Sequence, residues 1–229
     1  EGYGMFEGYA NRDSLTYLKA YGIEDIPTIY RGTLRRKGYS EAWNVLVQLG
    51  ITEDSYQLPN TEEMTYREFM NSFLTYHETL MVEDKIKSKF NVSDEVMAKI
   101  KWLGLFENAK IGAPNLSPAQ VLQKKLEEKW KLEENDIDLI VMWHKFEFEI
   151  DGSKKEIISS LSVEGEDQTY TGMSNTVGLP LGIAVKLVLQ GKIKTPGVHL
   201  PVTPEIYEPI LQELESYNII FNEKEKHIN

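Results

Sequence analysis

The 229-residue sequence contains no cysteine, which excludes disulfides, thiol nucleophiles and Cys-based metal sites. That composition fits a reducing compartment, and a cytoplasmic location is the expectation. Histidine is scarce, at four residues, and His77 has no partner at H-E-x-x-H spacing, so no metal site is expected. Positive charge is in deficit: 25 Lys and Arg stand against 36 Asp and Glu, a net charge of -11. Such a chain is poorly matched to a nucleic-acid backbone or an anionic membrane, and neither is expected as a partner. No apolar run approaches the roughly 20 residues of a membrane span. A G-x-G-x-x-G run is also missing: Gly2-x-Gly4 lacks the third glycine and precedes no clear helix, so no nucleotide cofactor is expected for this chain alone.

What is there is concentrated in residues 8–38. Two polar clusters, Asn11-Arg12-Asp13-Ser14 and Arg31-Gly32-Thr33-Leu34-Arg35, place four arginines (Arg12, Arg31, Arg35, Arg36) within 25 residues of an acidic chain. An arginine fork matches a carboxylate in bidentate fashion and stays charged when partly buried. On spacing alone two readings stand: a pocket for a small molecule with several carboxylates, or surface arginines in ordinary ion pairs.

Taken in order, residues 3–9 read as extended. Asp13 is expected to cap a helix over 14–21, with Gly22 as its left-handed stop, which would set Asn11 and Arg12 before a helix N-terminus. Alternation predicts a strand over 26–34. Ser40 is the expected cap of a helix over 41–49 closed by Gly50. From 51 to about 134 the pattern is helical. Thr65-x-x-Glu68 and Ser117-Pro118-Ala119-Gln120 are capping boxes, and Ser93 is a cap. Phe69, Phe73, Tyr76 and Leu80 form one row, with His77 in the same helix. Strands return over 139–150 and 155–163, joined by an Asp151-Gly152-Ser153 turn. The 173–180 segment reads as a Gly/Pro-rich helix start, followed by Leu181, Val185 and Val188 on one face suited to docking on a sheet, with Gly178 and Gly182 allowing close approach and Gly191 stopping the helix. Ser174, Asn175 and Thr176 are weaker site candidates there. A last helix follows Thr203-Pro204, and 219–221 reads as a short strand. His199 is a loop histidine with the chemistry of a proton carrier.

Two runs carry a family resemblance. Glu7-Gly8-Tyr9-Ala10-Asn11-Arg12-Asp13-Ser14, then Tyr17 and Tyr21-Gly22-Ile23, with Arg31-Gly32-Thr33-Leu34-Arg35-Arg36-Lys37-Gly38-Tyr39, resembles the L-glutamate-forming saccharopine dehydrogenases. Met173-Ser174-Asn175-Thr176-Val177-Gly178-Leu179-Pro180, then Ala184, Lys186-Leu187 and Gly191, resembles a second run of that family. Ala10 departs from a usual proline, and Arg36 from a usual aromatic. Lysine and carboxynorspermidine dehydrogenases share the T-L-R-x-x-G part, and the Asn11–Ser14 cluster weighs against them.

The resemblance implies an α+β fold: a substrate-binding and dimerisation sheet domain (1–39 and 135–170), an all-helical insertion (40–134), and a C-terminal segment (171–229) that packs on a Rossmann domain. Because the nucleotide motif of the family lies upstream of the matching region, Glu1 is expected to be a fragment boundary. It further implies saccharopine, glutamate and aminoadipate semialdehyde as substrates, NADP(H) as cofactor of the complete enzyme, and a homodimer. Asn11, Arg12, Asp13, Arg31, Thr33 and Arg35 are the implied substrate-binding residues, with Arg12 as the leading carboxylate clamp. No catalytic acid or base is visible. A non-catalytic oligomerisation or interaction domain is the competing reading.

Overall fold

A computed structural model describes residues 2–11 and 13–228. It is a mixed α/β structure whose described residues form eight α-helices and two small antiparallel sheets. The chain divides into two units, one of Glu1–Ser14 with Tyr30–Lys131 and one of Leu15–Ile29 with Leu132–Asn229. These bounds differ from the expected domains: the first two strands form their own sheet and share a unit with the helical block.

In the first unit, β1 (Phe6–Ala10) pairs antiparallel with β2 (Gly32–Arg36), from Phe6 opposite Arg36 to Ala10 opposite Gly32. The strand expected over 26–34 is thus shifted toward the C-terminus. β1 offers only five residues to pair with, and Pro27, lying outside β2, has no N–H to donate to a ladder. Five helices follow: α2 (Tyr39–Leu49), α3 (Tyr66–Ser72), α4 (Val82–Phe90), α5 (Asp94–Trp102) and α6 (Pro118–Trp130). One apolar face of each meets a common core that includes Leu46, Phe69, Ile86, Ile100 and Val121.

Both capping boxes form as read, and Ser93 accepts the N–H of Val96. α3 nevertheless stops at Ser72, so Tyr76, Leu80 and His77 lie beyond it and Tyr76 is exposed. The His77 Nδ1 accepts the N–H groups of Thr79 and Leu80, closing a turn. Lys125, buried, lies between Glu107 (3.1 Å) and Glu128 (3.0 Å) and over the Tyr66 ring.

The second unit holds α1 (Thr16–Tyr21), closed by left-handed Gly22 as expected. It also holds a hairpin of β3 (Leu139–Ile150) and β4 (Ser153–Glu164). Asp151 and Gly152, both at positive φ (52° and 73°), form its two-residue turn, with Ile150 opposite Ser153. α7 (Gly172–Leu189) packs on the hairpin through Ile183 and Leu187, and α8 (Pro204–Leu214) adds Ile210 and Leu214 to that core. β5 (Asn222–His227) adds to β4. The expected strand at 219–221 begins three residues later, because Ile219 is taken into the core. β5 has no apolar alternation to betray it; cross-strand pairs Lys155–Glu225 and Lys226–Glu156 hold it instead.

The side of α7 that meets the hairpin is not the side that carries Leu181, Val185 and Val188. Leu181, Val185 and Val188, with Met173 and Val177, are all at least half exposed. A Cβ added at Gly178 or Gly182 would meet nothing within 4 Å, so neither glycine serves a close approach among the described residues. α7 is apolar on both sides, and periodicity cannot say which side meets the sheet. By length and composition alone, its 18 residues with mean hydropathy 1.4 suffice to cross a membrane, contrary to the expectation that no apolar run approaches a span.

Candidate functional site

The arginine-rich clusters meet at the end of the β1–β2 pair. The Asn11 N–H donates to the Arg31 carbonyl at 3.0 Å, extending the ladder one step past Ala10 and Gly32. The Arg31 N–H in turn donates to the Ser14 hydroxyl at 3.0 Å. Ser14 is therefore a clamp: it fastens the end of the first cluster onto the start of the second, across 17 positions of chain.

Side chains alternate faces along a strand. Continued to the Asn11–Arg31 step, that parity places Arg31, Thr33 and Arg35 on one face with Asn11, Tyr9 and Glu7, and Arg36 on the other. The Arg35 guanidinium lies 5.5 Å from the centre of the Tyr39 ring and donates to the Leu34 carbonyl at 2.9 Å. Tyr39 stacks on Tyr9, with ring centres 6.4 Å apart and planes 12° apart. Burial pushes the Tyr39 hydroxyl above its ordinary pKa, as does Tyr9, while Arg35 opposes the shift. Asn11, Arg31, Thr33 and Arg35 are thus brought into one strip. Asp13 is exposed, and Arg12 lies outside the described residues.

The helix expected over 14–21 begins at Thr16. Leu15, without a side-chain capping bond, stands at the N-cap of α1, and the helix has only six residues.

Glu7, within the same motif, has a structural duty. It lies directly opposite Arg35 in the ladder, but its carboxylate turns to α2, accepting the N–H groups of Gly38 and Ser40. Those two bonds, Ser40's the stronger, hold its pKa below the ordinary value. Gly38 at φ 85°, not Ser40, is the N-cap of α2, and the cap is supplied from another element. No local pattern signals this, because donor and acceptor are 31 and 33 residues apart.

The other candidates have local duties. Thr171, Ser174 and Thr176 hydrogen-bond within the first turn of α7, whose Gly172 and Met173 N–H groups are also capped by Asp138 at 2.6 and 2.9 Å. His199 Nε2 lies 2.7 Å from the Pro196 carbonyl. Among the described residues, no three His, Cys, Asp or Glu side chains converge as a metal site would require.

Residues 1–220 match the family described as Saccharopine dehydrogenase C-terminal domain. The chain is 35% identical to Saccharopine dehydrogenase [NADP(+), L-glutamate-forming] of Saccharomyces cerevisiae, over 97% of this chain and 53% of that protein. It is 32% identical to the mitochondrial alpha-aminoadipic semialdehyde synthase of Mus musculus, over 94% of this chain and 24% of that one. The solved structure of apo, histidine-tagged L-Glu-forming saccharopine dehydrogenase from Saccharomyces cerevisiae superposes with a TM-score of 0.83. That match has 34% identity and covers 96% of this chain and 52% of the yeast chain. The chain therefore spans about half the length of the curated dehydrogenases it matches.

Proposed function

The chain belongs to the saccharopine dehydrogenase C-terminal domain family, and on that ground we propose that it is the substrate-binding part of an oxidoreductase acting on CH–NH bonds. The reaction is the interconversion of saccharopine with L-glutamate and 2-aminoadipate 6-semialdehyde in lysine metabolism, with NADP(H) as redox partner. The observation that carries the reading is the strip formed where Asn11, Arg31, Thr33 and Arg35 meet on one face. Saccharopine has three carboxylates, and arginine forks are the side chains that grip such groups in a fixed orientation. Arg12 is assigned the same role from the family motif. Binding energy spent on the carboxylates orients the C–N bond that reacts, and orientation is a large part of the rate in such chemistry.

NADP(H) supplies the hydride chemistry when bound, and the residues of this chain do not fit its cradle. Both described sheets are antiparallel, and the sequence has no Gly-rich strand–turn–helix run. No hydride step is assigned to this chain. The exposed apolar side of α7 supports a docking role for 171–229 against the nucleotide-binding domain.

A homodimer is the proposed assembly. β3 is an outer strand of its sheet, and Met142, Trp143, Phe146 and Ile150 along it are exposed. Light scattering of the purified chain tests it, and a monomer at micromolar concentration counts against it. The proposed location is the cytoplasm, supported by the absence of cysteine; a mitochondrial signal from tagged protein would overturn it.

Isothermal titration of the chain with saccharopine and, separately, with NADPH tests the functional reading. Saccharopine heat that saturates without any NADPH heat is the expected result. NADPH binding without saccharopine binding would reverse the assignment.

A further inference from the structure

We propose that a cleft between α2, α5 and α6 binds a planar aromatic anion. The proposal does not rest on the function given above, and the cleft lies wholly within the first unit. Its volume is about 480 Å³, within the range of small-molecule sites. Three of the four tryptophans of the chain line it: Trp43, Trp102 and Trp130. Tyr39 stacks on Trp43 at 5.8 Å with planes only 8° apart, and Trp43 meets Trp130 at 6.3 Å. Trp102 and Trp130 are 56% and 52% exposed, although indole is a side chain that folding normally covers. Open indole surface beside an apolar floor of Leu46, Ile100 and Leu103 favours a flat guest.

The rim sets the sign of the guest's charge. Arg36, Lys37 and Lys99 face one carboxylate, Glu95, in a chain whose net charge is -11. Arg36 is held there by its contact with the Phe6 ring, 4.8 Å from the ring centre, and by a hydrogen bond to the Tyr3 carbonyl. Lys99 is placed by packing: a Cβ at Gly38 would come within 2.8 Å of its Cε. Its pair with Glu95, at 3.5 Å on the surface, is loose enough to be exchanged for a ligand anion. A ring therefore has indole faces to stack on, and a carboxylate or phosphate attached to it has cations within reach.

The test follows the indole N–H resonances of the chain during titration with 2-naphthoate. Signals of Trp43, Trp102 and Trp130, assigned by single Trp→Phe variants, are expected to shift saturably while Trp143 stays fixed. The neutral 2-naphthylmethanol and the non-aromatic cyclohexanecarboxylate should each bind about tenfold more weakly. Lys99→Gln, a surface change, should weaken naphthoate severalfold, and Trp102→Leu should remove binding. No saturable shift at millimolar naphthoate, equal movement of Trp143, or equal binding of either control compound would overturn the proposal.

Discussion

The Glu7 carboxylate accepts the backbone N–H of Gly38 at 3.0 Å, so a residue of the first strand caps a helix that begins 32 positions later. Ser40 donates to the same carboxylate. Asp138 repeats the device in the second unit, where it caps α7 from the residue before β3. In both places one carboxylate satisfies two N–H groups that a helix start would otherwise leave open.

Glu7→Ala should cost about 1 kcal/mol of stability at neutral pH, the usual scale for a lost helix cap. The pH dependence has a fixed sign. Because the folded pKa of Glu7 lies below its ordinary value near 4.5, its contribution is fully present above that value and is lost as pH falls through the folded pKa. Urea titrations of both proteins should show a gap at pH 7 that closes in acid. A gap independent of pH would mean that the charge of Glu7 plays no part.

Two glycines of one helix should respond oppositely to alanine. At Gly172 a Cβ would come within 2.9 Å of the Val163 carbonyl, which is backbone and cannot step aside. Gly172→Ala should destabilise by about 1–3 kcal/mol, as overpacking does. Gly178 has open space around it within α7, so Gly178→Ala should stabilise the isolated chain by about 0.5–1 kcal/mol through helix propensity. Denaturation midpoints measure both, and a shift of the same sign for the two would contradict the packing described.

Leu181→Lys separates a docking face from an inert one. Leu181 is 67% exposed, so the melting behaviour of the chain should change little, within about 0.5 kcal/mol. If this side of α7 meets the nucleotide-binding domain, the same change should weaken association of the chain with that domain added in trans. Undiminished association, measured by titration, would remove α7 from the interface.

Arg12→Ala and Arg35→Ala, each made in the enzyme joined to its nucleotide-binding domain, should raise KM for saccharopine about tenfold or more and leave KM for NADP near its starting value. The scale is that of a lost charge-assisted hydrogen bond, about 1.5–3 kcal/mol. Arg35→Lys keeps the charge and loses the planar fork that lies over Tyr39, so it should recover only part of the effect. An unchanged saccharopine KM for either alanine variant would strike that arginine from the site.

The sequence by itself determined every feature whose cause is local. Thr65 with Glu68 and Ser117 with Gln120 capped their helices because both partners sit within one turn. Asp151-Gly152 made its turn because those two residues tolerate positive φ. The family, too, was legible in the runs around Asn11 and Arg31. The tertiary structure alone decided features whose partners are distant in the chain. It committed Ser14 to Arg31 and Glu7 to α2, so Ser40 did not become the cap that its position suggested. It chose which apolar side of α7 would be buried, since Ile183 and Leu181 are equally hydrophobic to a periodicity. It made a strand of the charged 222–227 segment, which pairs with β4 and meets Lys155 and Glu156 across the sheet. Hydrogen bonds and burial depend on which groups meet, and long-range meetings leave no periodic trace in a sequence.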